Sequence, residues 1–362
     1  MARLATLALV CLPCLCGLGG GAGDAALAGA ASAAPGQAYL AYVTGSPRSP
    51  APVVWALPAG AGAGAAMRLG PGSQPLLSPN GQLVAASLAD LPGGPPLTVY
   101  HVNGAPATQL ASLAGVSAEP LAWSADSKYL AVALLSTSVR DIAARSSLAV
   151  LDLETGALRT VAHGWAQGAS FAPGGSDRLA YGLAGSLSAE GRVDLYTSAP
   201  DGSGVVRITH DGRSLNPVWG ARGIAFDRER PRRDYAPAYQ IWLASPSGAH
   251  ARQLTHVRVQ LLVSGLVPLA FSAAGTRLVA EFEGQDTSAA WTVEVGSGRS
   301  RALRAGEHSL QAAGISRDGA TVLIDEDSFE NAPSEGRVVT MPFSGGPLRA
   351  LVAHGAQASW NE

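Results

Sequence analysis

Pro268-Leu-Ala-Phe271-Ser272-Ala-Ala-Gly275-Thr-Arg-Leu-Val279 reads as one strand, a tight turn and the start of a second strand. The same order of residue types returns along the chain: a small residue or proline, an apolar pair, a Ser-like turn, then an apolar run. The other copies begin at Pro75-Leu-Leu-Ser78-Pro-Asn-Gly81, Pro120-Leu-Ala-Trp123-Ser124, Ala169-Ser-Phe171-Ala-Pro-Gly-Gly175, Pro217-Val-Trp219-Gly220 and Ala313-Gly-Ile315-Ser316-Arg-Asp-Gly319. A seventh, Ala358-Ser-Trp360, is cut short at Glu362. With Ser78, Ser124, Ala172, Gly220, Ser272, Ser316 and Asn361 taken as one position, the spacings are 46, 48, 48, 52, 44 and 45 residues. A four-stranded propeller blade repeats at about 40–45 residues.

Each period carries two further strands. Leu97 to Gly104, Leu148 to Gly156, Asp194 to Gly202 and Gln240 to Gly248 are apolar runs that end in a glycine turn. A short fourth strand follows, marked by Arg68, Arg159, Arg207, Arg252, Arg301 and Arg349, with Gln109 in the remaining copy. Ala38–Val43, Val53–Leu57 and Met67–Leu69 supply three strands that lack a first one, and the seventh copy supplies only a first one. Joined, they complete a blade and close a ring without a free edge. The expected fold is therefore all-β, a seven-bladed propeller of four-stranded antiparallel blades over residues 38–362. Six blades would follow if the Pro217 copy, whose turn is shortened, were degenerate.

The composition agrees with this reading. Of 362 residues, 44 are Gly and 24 Pro, 47% are hydrophobic and only 14% charged. Such a chain can bury a core. A net charge of −2 gives no reason to expect nucleic acid as a partner. Residues 1–33 read as a signal peptide: Arg3 near the start, an apolar run from Leu4 to Leu18, then small residues with A-x-A options ending at Ala28, Ala30 or Ala33. Cys11, Cys14 and Cys16 all lie in that leader. The mature chain is thus expected to be exported to the periplasm or beyond, without disulfides or a transmembrane segment, and as a monomer.

The repeat resembles that of the TolB-like, WD-repeat-related propeller family, roughly P-x-W-S-P-D-G followed by I-Y-x-x-D-x-D-G and R-L-T. The match is clearest in Asp194-Leu-Tyr196, Asp201-Gly202, Arg207-Ile-Thr209 and Asn216-Pro-Val-Trp219, and again from Gln240-Ile-Trp242 to Arg252-Gln-Leu-Thr255. The resemblance covers Ala38 to Glu362. It implies the fold more than a function. Neither the N-terminal α/β domain of TolB itself nor a prolyl-oligopeptidase hydrolase domain has a counterpart in the sequence.

Chemical motifs are scarce. There is no G-x-S-x-G, H-E-x-x-H or P-loop. His163, His210, His256 and His354 each follow a fourth strand, which would spread them around the rim, too far apart to share a metal ion. Trp123, Trp219 and Trp360 on first strands, with Trp55 and Trp242 on third strands, read as core between blades. Only Glu119 is ionisable among Gln74, Glu119, Gly168, Asn216, Val267, Ala312 and Gln357, the positions expected to ring the axis. No cofactor or catalytic residue is therefore expected, and a lactonase- or hydrolase-type active site at the axis is the weaker reading.

Loop lengths are more telling. Turns between first and second strands are short, whereas Ser87–Pro96, Leu134–Ser147, Asp227–Ala238 and Asp325–Gly336, between second and third strands, are long and unlike one another. Diverse loops on one face of a rigid scaffold build binding surfaces. The expected function is a non-enzymatic scaffold that binds a protein partner in the cell envelope, with a peptide or a glycan as the other ligands considered. The candidate contact residues are Arg228, Arg230, Arg232, Arg233, Tyr235, Tyr239, Asp325, Asp327, Phe329 and Glu330, rich in the Arg and Tyr favoured at interfaces.

Overall fold

The computed structural model describes residues 39–45, 52–58, 61–88, 96–110, 116–136, 146–184, 192–230, 238–258, 263–284, 288–306, 308–326 and 336–361. The leader expected at residues 1–33 lies outside them. Among the described residues, strands make six sheets, five of four strands and one of eight.

The first sheet runs β28 (Ala356–Trp360), β1 (Tyr39–Thr44), β2 (Val53–Pro58), β3 (Met67–Pro71). The second runs β4 (Ser73–Leu77), β5 (Leu83–Ser87), β6 (Leu97–His101), β7 (Thr108–Gln109). The third contains β8 (Val116–Trp123), β9 (Tyr129–Ser136), β10 (Ser147–Asp152) and β11 (Leu158–His163), and the fourth β12 (Trp165–Phe171), β13 (Leu179–Ala184), β14 (Val193–Ser198) and β15 (Val206–Arg207). In the eight-stranded sheet, β16 (Ser214–Gly220), β17 (Gly223–Arg230), β18 (Ala238–Ala244) and β19 (Arg252–Gln253) form one antiparallel run. The other comprises β20 (Val263–Phe271), β21 (Arg277–Gly284), β22 (Ser288–Glu294) and β23 (Ser300–Ala302). A single parallel bridge, Tyr239 opposite Gly265, joins the two runs. Gly265 has φ +128°, and a Cβ there would collide with the Tyr239 carbonyl oxygen, so only glycine permits this approach. The last sheet is β24 (Leu310–Ile315), β25 (Thr321–Glu326), β26 (Arg337–Pro342), β27 (Arg349–Val352).

The Ser-like turn of the repeat has a definite mechanism. Ser124 Oγ donates to Asp126 Oδ1 at 2.7 Å and accepts from the Tyr129 N–H at 2.9 Å. Ser78 with Asn80, and Ser316 with Asp318, do the same. A side chain two residues on thus substitutes for backbone partners and fixes the hairpin.

Second and third strands are apolar almost throughout because both faces are covered. Leu130, Ala131, Val132, Ala133 and Leu134 are all buried. The core clusters lie between neighbouring four-stranded units. Ala225, Ile241, Leu243 and Leu254 of one run pack on Leu266, Leu278, Ala280 and Val293 of the next. Leu40, Tyr42 and Leu57 pack on Leu323, Val338 and Val352, which ties the first sheet to the last. Each fully buried Leu or Val is worth about 1.5–3 kcal/mol, against about 1 kcal/mol net for a typical hydrogen bond, so these seams hold the sheets together.

The first strands β4, β8, β12, β16, β20, β24 and β28 each contact the next, and β28 contacts β4 again. Every one of them has a register shift against its second strand. Bulges of this kind leave backbone N–H groups without a ladder partner.

Candidate functional site

Those N–H groups are met by side chains, several from the preceding unit. Asp227, Glu281 and Asp325 occupy one register position of β17, β21 and β25. The Asp325 carboxylate accepts from the Ala358 N–H at 3.1–3.2 Å and also from the Gln357 N–H. Glu281 Oε2 accepts from the Ala312 N–H at 2.6 Å. Asp227 lacks one of these donors, because the residue matching Ala312 and Gln357 is Pro268, which has no N–H; its Oδ1 accepts from Asn216 Nδ2 at 2.9 Å. Gln357 Oε1 accepts from the Gln74 N–H at 2.7 Å. Burial pushes Asp325 up to about 7 and Glu281 up to about 8; N–H bonds oppose the rise in both, while the charges of Glu283 and Asp325 add to it in Glu281. Burial also raises Glu119 on β8.

This revises the boundaries of two candidate loops. Asp325 is 7% exposed and Asp227 is fully buried, so both belong to strands and to the joints between units. β17 continues to Arg230 and β25 to Glu326. Tyr239, expected at the surface, is buried beside Ala184, Val193 and Leu215. An acidic residue after an apolar run looks like a loop start in sequence, and the freed N–H it serves lies on a distant strand.

Arg228 is half-buried on β17. Its guanidinium carbon lies 4.4 Å from the Trp242 ring centre and 5.2 Å from that of Phe226, and its Nε reaches Asp211 at 2.7 Å. Those contacts make it a post at the base of the loop over residues 231–237. Arg230, at the end of β17, is exposed. Arg232, Arg233, Tyr235, Asp327, Phe329 and Glu330 lie outside the described residues. The stem of the second loop is also pinned: Glu326, fully buried, pairs with Arg337 at 2.7 Å and with His308 at 3.5 Å.

Three of the fourth-strand arginines make specific bonds. Arg252 donates to the Val295 carbonyl and Arg301 to the Phe343 carbonyl, each in the following unit. Arg207 pairs with Asp194 at 2.5 Å. Trp123 donates from Nε1 to the Leu76 carbonyl of the preceding sheet at 2.9 Å, in keeping with a place between sheets. Among the described residues, no group of three or more His, Cys, Asp and Glu could hold a metal ion.

His308 also lines a feature that loop lengths could not reveal. A half-open cleft of about 580 Å³ lies where β21 and β23 end and β22 begins. Its walls include Phe282 and Trp291, stacked 6.0 Å apart at 28°, with Val257 beside them and Arg258, Arg304 and His308 at the rim. Arg258 and Arg304 come from the linkers between units, segments that a search for long loops passes over. Antiparallel order puts these linkers at the same end of the sheets as the loops between second and third strands. The volume falls in the range of ligand pockets, about 300–1,000 Å³.

No protein-family model and no curated protein matches the chain. Solved structures do. TolB from Acinetobacter baumannii is 15% identical at TM-score 0.52, over 90% of this chain and 66% of that one. The β-propeller domain of the trilobed protease from Pyrococcus furiosus is 12% identical at TM-score 0.62, over 89% and 98%; it is described as having an open velcro topology, whereas here β28 pairs with β1. A puromycin-hydrolyzing peptidase from Mycobacterium tuberculosis is 15% identical at TM-score 0.58, over 87% and 53%. The chain thus spans just under two thirds of the TolB chain and about half of the peptidase. The fold is that of a TolB-like β-propeller, as the repeat implies; at these identities the likeness speaks for fold alone.

Proposed function

We propose that the protein is an exported, non-enzymatic β-propeller of seven blades that binds a protein partner in the cell envelope. Dividing the eight-stranded sheet at its single parallel bridge supports a count of seven units, and the cyclic contacts of the first strands support closure. The leader argues for export, and no helix among the described residues is long and apolar enough to cross a membrane.

The observation that carries the binding reading is the cleft at the loop-bearing end of the sheets, whose His308 shares Glu326 with the stem of the loop over residues 327–335. Binding scaffolds place variable segments on such a face. A hydrolytic site is less favoured, since the buried acids Asp227, Glu281 and Asp325 are spent on N–H donors of first strands and of Asn216.

The test is loop exchange. Residues 231–237 and 327–335 are replaced by short Gly-Ser turns, leaving Asp227, Asp325, Glu326 and Arg337 in place. The melting temperature should stay within a few degrees while capture of a mass-spectrometrically identified envelope protein is lost. Undiminished capture would reject the loop face as the binding surface.

A further inference from the structure

We propose that the cleft over β22 and β23 is a recognition site for an acidic peptide segment. The peptide carboxylate sits between Arg258 and Arg304, and a neighbouring apolar side chain lies on Phe282 and Trp291. The assignment rests on the binding reading above and names its ligand.

The argument is one of charge and shape. The described lining residues include Arg258, Arg304 and His308 but no Asp or Glu. Such an accumulation runs against a chain whose net charge is −2. Glu326, which His308 approaches to 3.5 Å, is fully buried and is also held by Arg337 at 2.7 Å. Arg258 and Arg304 reach the cleft from different linkers, so one carboxylate bridging them would draw on both. The Phe282–Trp291 pair is only half-buried, leaving apolar ring surface open to a ligand side chain. A basic rim beside an aromatic floor selects an acidic residue next to an apolar one. A basic peptide would be repelled, and a purely apolar one would leave two guanidiniums unmatched.

The experiment uses the purified chain and two fluorescein-labelled, end-blocked hexapeptides, one of alternating Asp and Phe, the other of alternating Lys and Phe. Fluorescence anisotropy should show binding of the Asp–Phe peptide, weakened at high salt, and no binding of the Lys–Phe peptide. Arg258→Glu with Arg304→Glu should lower the affinity at least ten-fold at unchanged melting temperature, while lysine at both positions restores part of it. Each charge reversal made singly gives the same reading should the pair fold poorly. Equal binding of the two peptides, no binding of the Asp–Phe peptide, or an affinity within two-fold after charge reversal would overturn the assignment. Peptide binding without any envelope partner would instead defeat the scaffold reading and leave the site standing. Loop-dependent partner capture with no effect of the arginine changes would defeat only this assignment.

Discussion

Asp227, Glu281 and Asp325 show how little a residue type says before its neighbours are known. Read along the chain, two of them are the charged first residues of surface loops; folded, their carboxyls sit against backbone N–H groups or the Asn216 amide. Their titration follows from that burial. In the unfolded chain Asp325 and Glu281 release their protons near pH 4, whereas in the folded protein they hold them to about 7 and about 8. The folded state therefore binds more protons between those limits, and stability present below pH 4 is lost as pH rises through 7 to 8. One pKa unit corresponds to about 1.4 kcal/mol, so even part of the shift is measurable. The urea midpoint should be higher at pH 5 than at pH 8.5, and Asp325→Asn, which keeps an acceptor for the Ala358 N–H, should flatten that difference. A midpoint independent of pH in the parent protein would refute the account. Nothing local in the sequence announces these acids, because the N–H groups they serve are freed by bulges on other strands.

Strands were legible to within a few residues. The expected Val53–Leu57 is β2 at Val53–Pro58, and the third strand expected from Asp194 is β14 at Val193–Ser198. Apolar runs and Ser-to-Gly turns are local signals, which is why they sufficed. The register shifts in the first strands were not legible, since a bulge depends on how one strand meets another. The pairing of β28 with β1 was anticipated from the incomplete copies at the two ends, and in the structure Leu40 faces Trp360 and Ala41 faces Ser359. Removing β28 by ending the chain after Gly355 would strip Asp325 of the Ala358 and Gln357 N–H groups and bare the edge of β1. An open, apolar strand edge invites self-association. The shortened chain should melt at least ten degrees lower and sediment as aggregates. A monomer with parental melting temperature would show that β28 contributes little.

At the scale of the whole molecule, stability resides in the seams between sheets, each shared by two neighbours, including the one that joins the last sheet to the first. In an open array of repeats, units can unfold from an end. A closed array offers no end, so circular dichroism and tryptophan fluorescence should report one coincident thermal transition. Two separated transitions would argue against closure. The sequence by itself determined the repeat, the four strands of each unit, the hairpin turns and the completion of one unit from both termini, because each is written in short-range patterns of apolar, Ser and Gly residues. Only the tertiary structure decided where Asp227 and Asp325 belong, what the fourth-strand arginines bond, and that Arg258, Arg304, Phe282 and Trp291 share one cleft. Those facts depend on residues far apart in the chain meeting across sheets, and no local pattern encodes that meeting.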